Sequence, residues 1–171
     1  MKKMLGLVLI LVMSFALAAC SSNDNNLSET DRGHIATDNS NRAQEGPTED
    51  RISNIRIKLT FNQEEVIIRM YDNPTSRDFL ERLPLTLTFE DYAGTEKISY
   101  PSNKLSTEEA SSGIDPTVGD FTYYAPWGNL AIYYKDFGYS KGLIKLGKIE
   151  SGVEKLQGIN SDFTVTIEQV D

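Results

Sequence analysis

The five residues from Gly138 to Gly142 have the Gly-x-Ser-x-Gly spacing of a hydrolase nucleophile, with Ser140 at the reactive position. Such a serine needs a strand–turn–helix setting and a histidine that follows it in the chain and acts as its base. The chain contains a single histidine, His34, which lies far upstream of the motif. Matches of this length also arise by chance. We therefore predict no serine hydrolase and no catalytic residue at this motif.

Residues that bind metals are scarce in this sequence. Zinc sites combine several His or Cys ligands, and His34 and Cys20 are the only residues of these two types. The polar residues at 24–26 and the acidic pair at 90–91 could attract calcium, but the first group lacks the glycine and the distal glutamate of an EF-hand loop. Solvated surface is the better interpretation of both groups. The sequence predicts no metal site and no cofactor.

Cys20 is the residue whose chemistry the sequence defines best. Two lysines near the N-terminus precede an apolar run over residues 5–17, and Ala18 and Ala19 then lead directly to Cys20. This order is typical of a secretory signal peptide, and the run is too short for a stable transmembrane helix. The segment ending at Cys20 resembles the lipobox of bacterial lipoproteins, which implies cleavage between Ala19 and Cys20 and lipidation of the Cys20 thiol. The alternative is ordinary signal cleavage that leaves a free thiol.

These features divide the chain into three parts. We predict that residues 1–19 are a signal peptide and that residues 20–50 are the lipidated cysteine followed by a disordered stalk, a segment that contains no aromatic residue. The stalk cannot bury enough apolar surface to fold, and as a flexible coil it reaches ~30 Å. Residues 51–171 are the right length for one domain. Because two or three acyl chains on one cysteine anchor stably, we expect the protein on the cell membrane or an outer membrane, exposed outside the cytoplasm.

The charge of the chain excludes some partners. The net charge is −8, and loss of residues 1–19 removes two lysines and no acid, which leaves −10. An acidic surface repels phosphate groups, so neither nucleic acid nor anionic lipid is expected as a direct ligand. A lone cysteine also excludes an intramolecular disulfide, and no pattern in the sequence defines an oligomeric state.

Aromatic residues are concentrated in one short part of the domain. They are Tyr123, Tyr124, Trp127, Tyr133, Tyr134, Phe137 and Tyr139. Tyrosine and tryptophan suit recognition surfaces because they combine a large apolar area with a polar group. Adjacent tyrosines on a strand face opposite sides, however, so about half of the cluster should pack into the core. Our candidate ligand-binding residues are Tyr124, Trp127, Asn129 and Tyr134, and core packing remains the alternative.

Short alternations of apolar and polar residues recur through the domain, as expected for half-buried strands. Eight such segments are separated by Gly, Pro, Asn and Asp, and they span Ile55–Phe61, Glu65–Tyr71, Leu85–Phe89, Glu96–Tyr100, Phe121–Ala125, Leu130–Tyr134, Leu143–Ile149 and Phe163–Val170. The first two should form a hairpin with its turn at 62–64. The alternation slips at Gly147-Lys148, which predicts a bulge. The pattern predicts an all-β fold, a closed eight-stranded antiparallel barrel with two short helices.

The two helices and one long loop complete the predicted elements. The first helix should begin with a capping box, in which the Thr75 hydroxyl accepts a hydrogen bond from the Asp78 amide. Pro84 should end it. The second helix is predicted over Gly152–Ile159, and residues 102–116 are predicted as the longest loop.

The segments at 75–79, 119–130 and 146–152 carry motifs that resemble those of the cyclophilin-like fold, in the bacterial branch of small domains that lack clear prolyl-isomerase residues. Thr-x-x-Asp-Phe at 75–79 is similar to the Thr-x-x-Asn-Phe that opens the first cyclophilin helix. Leu-Gly-Lys-Ile-x-x-Gly at 146–152 is similar to the Phe-Gly-Lys-Val-x-x-Gly that leads into the second. Residues 119–130, which contain Pro-Trp-Gly-Asn, look most like the bacterial branch. The resemblance covers most of residues 53–170 and implies an eight-stranded barrel with a helix at each end.

The resemblance does not extend to the cyclophilin catalytic residues. Cyclophilins polarise the prolyl amide with an arginine on a strand after the first helix, and this chain has no arginine beyond Arg82. The groove glutamine and phenylalanine of the family would match Leu130 and Ile132, and its groove histidine would match Leu143. An isomerase of this type must lower a rotation barrier of about 18–20 kcal/mol, and the donors that do so are missing.

Three functions remain open at this stage. The expected one is a non-catalytic binding or accessory module whose groove takes a peptide or small ligand, because the fold is retained while the chemistry is lost. The second is an exported peptidyl-prolyl isomerase with a divergent groove, in which Lys97 or Lys104 would have to replace the arginine. The third is a structural envelope protein, which the absence of a concave aromatic pocket would favour.

Overall fold

The computed structural model describes residues 51–170, and the predicted signal peptide and stalk lie outside this range. The strands are β1 (Ile52–Phe61), β2 (Glu64–Tyr71), β3 (Leu85–Tyr92), β4 (Glu96–Ser99), β5 (Gly113–Ile114), β6 (Asp120–Tyr124), β7 (Asn129–Tyr133), β8 (Ser140–Lys141), β9 (Leu143–Ser151) and β10 (Phe163–Val170). The helices are α1 (Pro74–Leu80) and α2 (Val153–Gln157). Neither has the length and hydropathy that a membrane-crossing helix needs.

Eight of the strands close into a barrel in the order β1-β10-β3-β4-β7-β6-β9-β2. Every neighbouring pair is antiparallel. The predicted closed eight-stranded antiparallel barrel with two short helices is therefore confirmed. Because each barrel strand is paired on both edges within the described residues, this part of the chain contains all the pairing that the barrel requires.

The hairpin of β1 and β2 shows how the sequence pattern produces the barrel wall. In β1, Ile57, Leu59 and Phe61 are buried and alternate with more exposed polar residues. The two-residue turn at Asn62 and Gln63 has positive φ at both positions, 47° and 66°. Such turns match the right-handed twist of a strand pair, so the turn and the alternation specify the same register.

Apolar residues from seven of the eight barrel strands, all except β4, and from both helices fill the interior. Tyr123 is fully buried there, and Phe79 of α1 packs against Phe121 of β6 with ring centroids 5.3 Å apart. Helix α1 thus places its apolar face on the barrel core.

The N-cap of α1 is Asn73 and not Thr75. The Asn73 side chain accepts a hydrogen bond from the Ser76 amide at 2.8 Å. The capping-box prediction was wrong because Pro74 occupies the first helical position, where proline is favoured.

Two irregularities in β9 flank the predicted bulge. The pairing with β6 skips Leu146, and the pairing with β2 skips Glu150. Gly147 lies between them, and a Cβ built on it would be 2.7 Å from the Arg69 carbonyl oxygen. The bulge was therefore predicted in the right region, but the two unpaired residues, Leu146 and Glu150, lie on either side of Gly147-Lys148. Gly147 itself permits the close approach of β2.

The segment 102–116 is anchored at several points. The Leu105 amide donates to the Tyr123 hydroxyl at 3.1 Å, and the Ser106 amide donates to the Asp78 carboxylate at 2.6 Å. Farther on, β5 and β8 pair in a small sheet that the sequence did not predict. Gly113 fits there because a Cβ would come within 2.3 Å of the Ser140 carbonyl oxygen.

Candidate ligand-binding groove

A second apolar cluster lies on the outer surface of the barrel, across β4, β7 and β9. Along β7, Leu130 and Ile132 belong to the interior, whereas the alternate residues Ala131 and Tyr133 belong to the outer cluster with Ile98 and Leu143. Ile114 of β5 and Tyr124 of β6 pack against this cluster from the sides. Neighbouring strands therefore present a largely apolar floor to the outside of the barrel.

A groove with a volume of about 210 Å³ opens above this floor. Nine residues line it, and they are Tyr92, Glu96, Ile98, Tyr124, Trp127, Asn129, Tyr133, Phe137 and Ser140. Five of them are aromatic, and one carries a carboxylate. The volume is below the 300–1,000 Å³ typical of sites for drug-sized ligands, so the groove suits a small molecule or one side chain.

The turn between β6 and β7 positions Trp127 at the rim. The Gly128 amide donates to the Tyr124 carbonyl at 2.8 Å and closes the turn. Pro126 packs so closely on Gly142 that a Cβ there would lie 3.0 Å from the proline Cδ. The Trp127 ring stands edge-on to two tyrosines, at 5.4 Å from Tyr124 and 5.7 Å from Tyr92. Trp127 is nevertheless 51% exposed, which leaves indole surface available to a ligand.

Glu96 is the acidic group of the groove. It lies beside Tyr133 in the pairing of β4 with β7, and the Tyr133 hydroxyl donates a hydrogen bond to it. Burial raises the pKa of the Glu96 carboxyl, and this hydrogen bond offsets part of the effect. Burial and the nearby carboxylate likewise raise the pKa of Tyr133, which keeps its hydroxyl a donor.

Asn129 contributes the groove's buried amide. Asn129 is 2% exposed, and its Nδ2 donates to the Leu130 carbonyl at 3.1 Å. The Oδ1 atom is buried and has no hydrogen-bond partner among residues 51–170. A buried acceptor of this kind costs free energy unless something donates to it, so Asn129 is prepared for a ligand that carries an N–H or O–H group.

The structure brings together three of the four ligand-binding candidates from the sequence. Tyr124, Trp127 and Asn129 all line the groove. Tyr134 lies apart from them, and its hydroxyl donates to Asp91 at 2.5 Å. Its neighbour Tyr133 occupies the groove instead, because consecutive side chains along a strand face opposite sides.

Sequence reasoning missed several groove residues, namely Tyr92, Glu96, Ile98, Tyr133, Phe137 and Ser140. Tyr133 and Phe137 belong to the aromatic cluster that the sequence identified, so choosing the correct strand face would have found Tyr133. Tyr92 and Glu96 come from β3 and β4, and only the strand order of the barrel brings them to the same surface.

Neither lysine considered as a substitute electrophile lines the groove. Lys97 is fully buried, with its Nζ on Asp91 and on the Ile159 carbonyl, and it lies 4.8 Å from the centre of the Tyr134 ring. The Lys104 stem packs near Gly128. A ligand in the groove therefore cannot reach the Lys97 ammonium without rearrangement of β4.

The hydrolase-like serine is followed by the strand β9 and not by the helix that a nucleophile elbow requires. Ser140 begins the short strand β8, and its hydroxyl donates to the Gly138 carbonyl at 3.3 Å. Between residues 51 and 170, no group of three or more His, Cys, Asp or Glu side chains is placed to hold a metal.

Comparison with known families accounts for the barrel fold. Residues 59–168 match the model of the cyclophilin-like family. The chain belongs to the cyclophilin-like family. The cyclophilin-like domain also resembles a hypothetical protein from Archaeoglobus fulgidus whose solution structure is known, with a TM-score of 0.53 and 19% identity over 71% of this chain and 98% of that one. At this identity the likeness concerns the fold alone. No curated protein is significantly similar in sequence.

The register of β7 corrects one alignment within the cyclophilin-like domain. Leu130 and Ile132, matched by sequence to a groove glutamine and phenylalanine, lie in the interior core. The outward positions of this strand are Asn129, Ala131 and Tyr133. Leu143, matched to the groove histidine, does lie in the outer cluster. The two β7 positions that the resemblance matched to groove residues therefore face the core and do not line this groove.

Proposed function

We propose that this protein is an exported lipoprotein, lipidated at Cys20, whose cyclophilin-like domain binds a small ligand or a peptide side chain in the aromatic groove without catalysing a reaction. The groove is the observation that carries the proposal. Of the seven large hydrophobic residues that are exposed between residues 51 and 170, three line this one groove: Tyr92, Trp127 and Phe137. Exposed apolar surface that is gathered in a concavity marks a binding site.

The composition of the groove supports binding over isomerisation. Its nine lining residues include no Arg, Lys or His, so the described groove offers no cationic donor to polarise a prolyl amide. Its polar groups are Glu96, Asn129, Ser140 and the tyrosine hydroxyls, which suit recognition. The existence of a concave aromatic pocket also speaks against a purely structural envelope protein.

The proposed anchor gives the binding domain a location. A lipid on Cys20 and a stalk of about thirty residues would hold the domain outside the cytoplasm, within ~30 Å of the membrane surface. Direct contact between the acidic domain and anionic lipid is not required, because the acyl chains supply the membrane affinity.

The binding role is tested with the unlipidated chain from Ser21 to Asp171, labelled with ¹⁵N. Amide shifts are followed while a panel of small amines, carboxylic acids, alcohols and proline-containing peptides is added. We expect at least one chemical class to shift amides around Trp127 and Asn129, and Trp127→Ala to remove these shifts. Tyr100→Ala is the matched control, since Tyr100 is equally exposed but does not line the groove. Shifts only at other surfaces, or no shifts at millimolar concentration, would contradict the proposal.

The isomerase alternative needs a separate assay on the same chain. A protease-coupled prolyl-isomerisation assay should show no acceleration over the uncatalysed rate, with a genuine cyclophilin as positive control. Clear acceleration that is lost in a groove variant such as Trp127→Ala would replace the proposed function with that of an isomerase.

A further inference from the structure

The groove combines aromatic surfaces with one carboxylate. Tyr92, Tyr124, Trp127, Tyr133 and Phe137 surround the space into which Glu96 faces. Aromatic faces attract cations through their quadrupoles, and an ammonium group near several rings is held more strongly when water is excluded. The same five rings with a basic residue in place of Glu96 would instead suit a neutral or acidic ligand.

The charge of Glu96 has no protein counter-ion in the groove. It lies beside Tyr133, and none of the described residues that line the groove is a lysine or an arginine. A partly buried carboxylate without a cation is destabilised by desolvation. A ligand that supplies a positive charge would remove this penalty, which is a source of affinity that a neutral ligand lacks.

The second polar position lies farther along β7. Asn129 and Tyr133 are four residues apart on the same strand face, which separates their backbones by roughly 13 Å. The unpartnered Asn129 Oδ1 therefore lies toward the opposite end of the groove from Glu96. An elongated ligand can meet both groups, with its ammonium at Glu96 and a second N–H donor at Asn129.

We infer that the groove binds a short aliphatic amine in its protonated form, with the ammonium against Glu96, the methylenes between the aromatic rings and a second N–H group donating to Asn129 Oδ1. This inference rests on the proposed binding function and names its ligand class. The volume of about 210 Å³ favours a free small amine over a peptide segment. An amine with donors at both ends, such as cadaverine, has the required features.

Trp127 makes the test direct, because it is the only tryptophan of the chain and lies in the groove. Its fluorescence is titrated in the Ser21–Asp171 chain with four probes that share a five-carbon chain: cadaverine, n-pentylamine, n-pentanol and pentyltrimethylammonium. Cadaverine should bind most tightly and n-pentylamine next, with n-pentanol at least tenfold weaker than n-pentylamine. Pentyltrimethylammonium, a cation without N–H groups, should bind more weakly than cadaverine. Equal affinity for n-pentanol and n-pentylamine would overturn the inference.

Three variants separate the roles of the two polar residues. Glu96→Gln should weaken cadaverine binding at least tenfold while leaving n-pentanol unchanged, and Glu81→Gln, which removes the same charge at an exposed position outside the groove, should have no effect. Asn129→Ala should abolish the preference for cadaverine over n-pentylamine. Circular dichroism verifies that each variant is folded, and an undiminished cadaverine affinity in a folded Glu96→Gln protein would contradict the assignment.

The two proposals fail in different ways. If the amines do not bind but another member of the broader panel shifts the groove amides, the amine assignment is wrong and the binding function stands. If no probe of any class reaches the groove, both are wrong. If a blocked lysine peptide binds more tightly than cadaverine, the free-amine assignment is overturned in favour of a protein side chain.

Discussion

Lys97 Nζ lies 2.5 Å from Asp91 Oδ1, and the Lys97 side chain is completely buried while that of Asp91 is 23% exposed. The Tyr134 hydroxyl donates to the same carboxylate oxygen. The lysine therefore enters the barrel wall with its charge paired on one side and its ammonium bonded to the Ile159 carbonyl on the other. The Lys97–Asp91 pair lies on the opposite side of β4 from Glu96. Because the lysine charge is buried, removal of its partner should lower the free energy of unfolding.

Asp91→Asn should destabilise the domain by about 3 kcal/mol, because it leaves the buried Lys97 ammonium without its counter-ion. The double variant Asp91→Asn with Lys97→Met should recover most of this loss, since the charge is then absent as well. Urea unfolding of both variants measures the difference. A double variant as unstable as Asp91→Asn would contradict the role of the pair.

The same pair predicts how stability responds to acid. Burial raises the pKa of Asp91, but the hydrogen bonds from Lys97 and Tyr134 and the lysine charge outweigh it, so the pKa is lowered overall. A lowered pKa contributes stability above the unfolded-state value that is lost as the pH falls through the folded-state value. The difference in unfolding free energy between the parent and Asp91→Asn should therefore shrink as the pH is lowered below 4, measured by urea titration at several pH values.

Glu96→Gln should stabilise the unliganded domain at neutral pH. Burial raises the pKa of Glu96, so the folded state loses stability as the pH rises through that value, and glutamine has no charge to desolvate. The Tyr133 hydroxyl from β7 can still donate to the glutamine oxygen. We expect the Tm at pH 7 to rise by ~1–4 °C. The gain should vanish in acid, where both side chains are uncharged, and a lower Tm at pH 7 would contradict it.

Asn73→Ala should cost about 1–2 kcal/mol. The substitution removes the bond from the Ser76 amide and also the bond that Asn73 Nδ2 donates to the Lys145 carbonyl at 2.9 Å. Urea denaturation should show this loss, whereas Asn103→Ala, at an exposed position, should stay within ~0.5 kcal/mol of the parent. Equal effects of the two substitutions would exclude Asn73 as a stabilising cap.

Cys20→Ser should abolish attachment of lipid. The full-length chain expressed in a bacterium should incorporate labelled fatty acid and sediment with membranes, and the serine variant should do neither because it lacks the thiol that is alkylated. Ser21→Ala is the matched control and should remain labelled. Retention of label in Cys20→Ser would exclude the proposed anchor.

The barrel could be predicted from the sequence because its strands are long enough to show alternation. Val165 and Ile167 of β10 are buried and alternate with the exposed Thr164 and Thr166, and that pattern is visible in the sequence itself. The β5–β8 pair could not be predicted in this way, because a strand of two residues is too short to show an alternation of apolar and polar residues. The helix cap was misplaced because Thr75 and Asn73 are both good caps, and only the position of Pro74 in the first turn decides between them.

The groove was harder to predict than the fold. Trp127 and Tyr124 were found because they are neighbours in an aromatic-rich segment. The choice between Tyr133 and Tyr134 depended on which face of β7 is outside, and the local sequence does not show which face that is. Glu96 could not be found from the local sequence. It lies in the groove because β4 pairs with β7, and these two strands are far apart in the chain.

The position of β1 has a mechanical consequence for a tethered protein. This first strand is hydrogen-bonded to β2 along one edge and to the last strand, β10, along the other. If the domain is held through Cys20, a pull on a bound partner is transmitted to the anchor through β1. Force along that strand loads both rows of hydrogen bonds in shear at the same time, so the domain should resist extension from its N-terminus better than a fold whose first strand lies at a free edge.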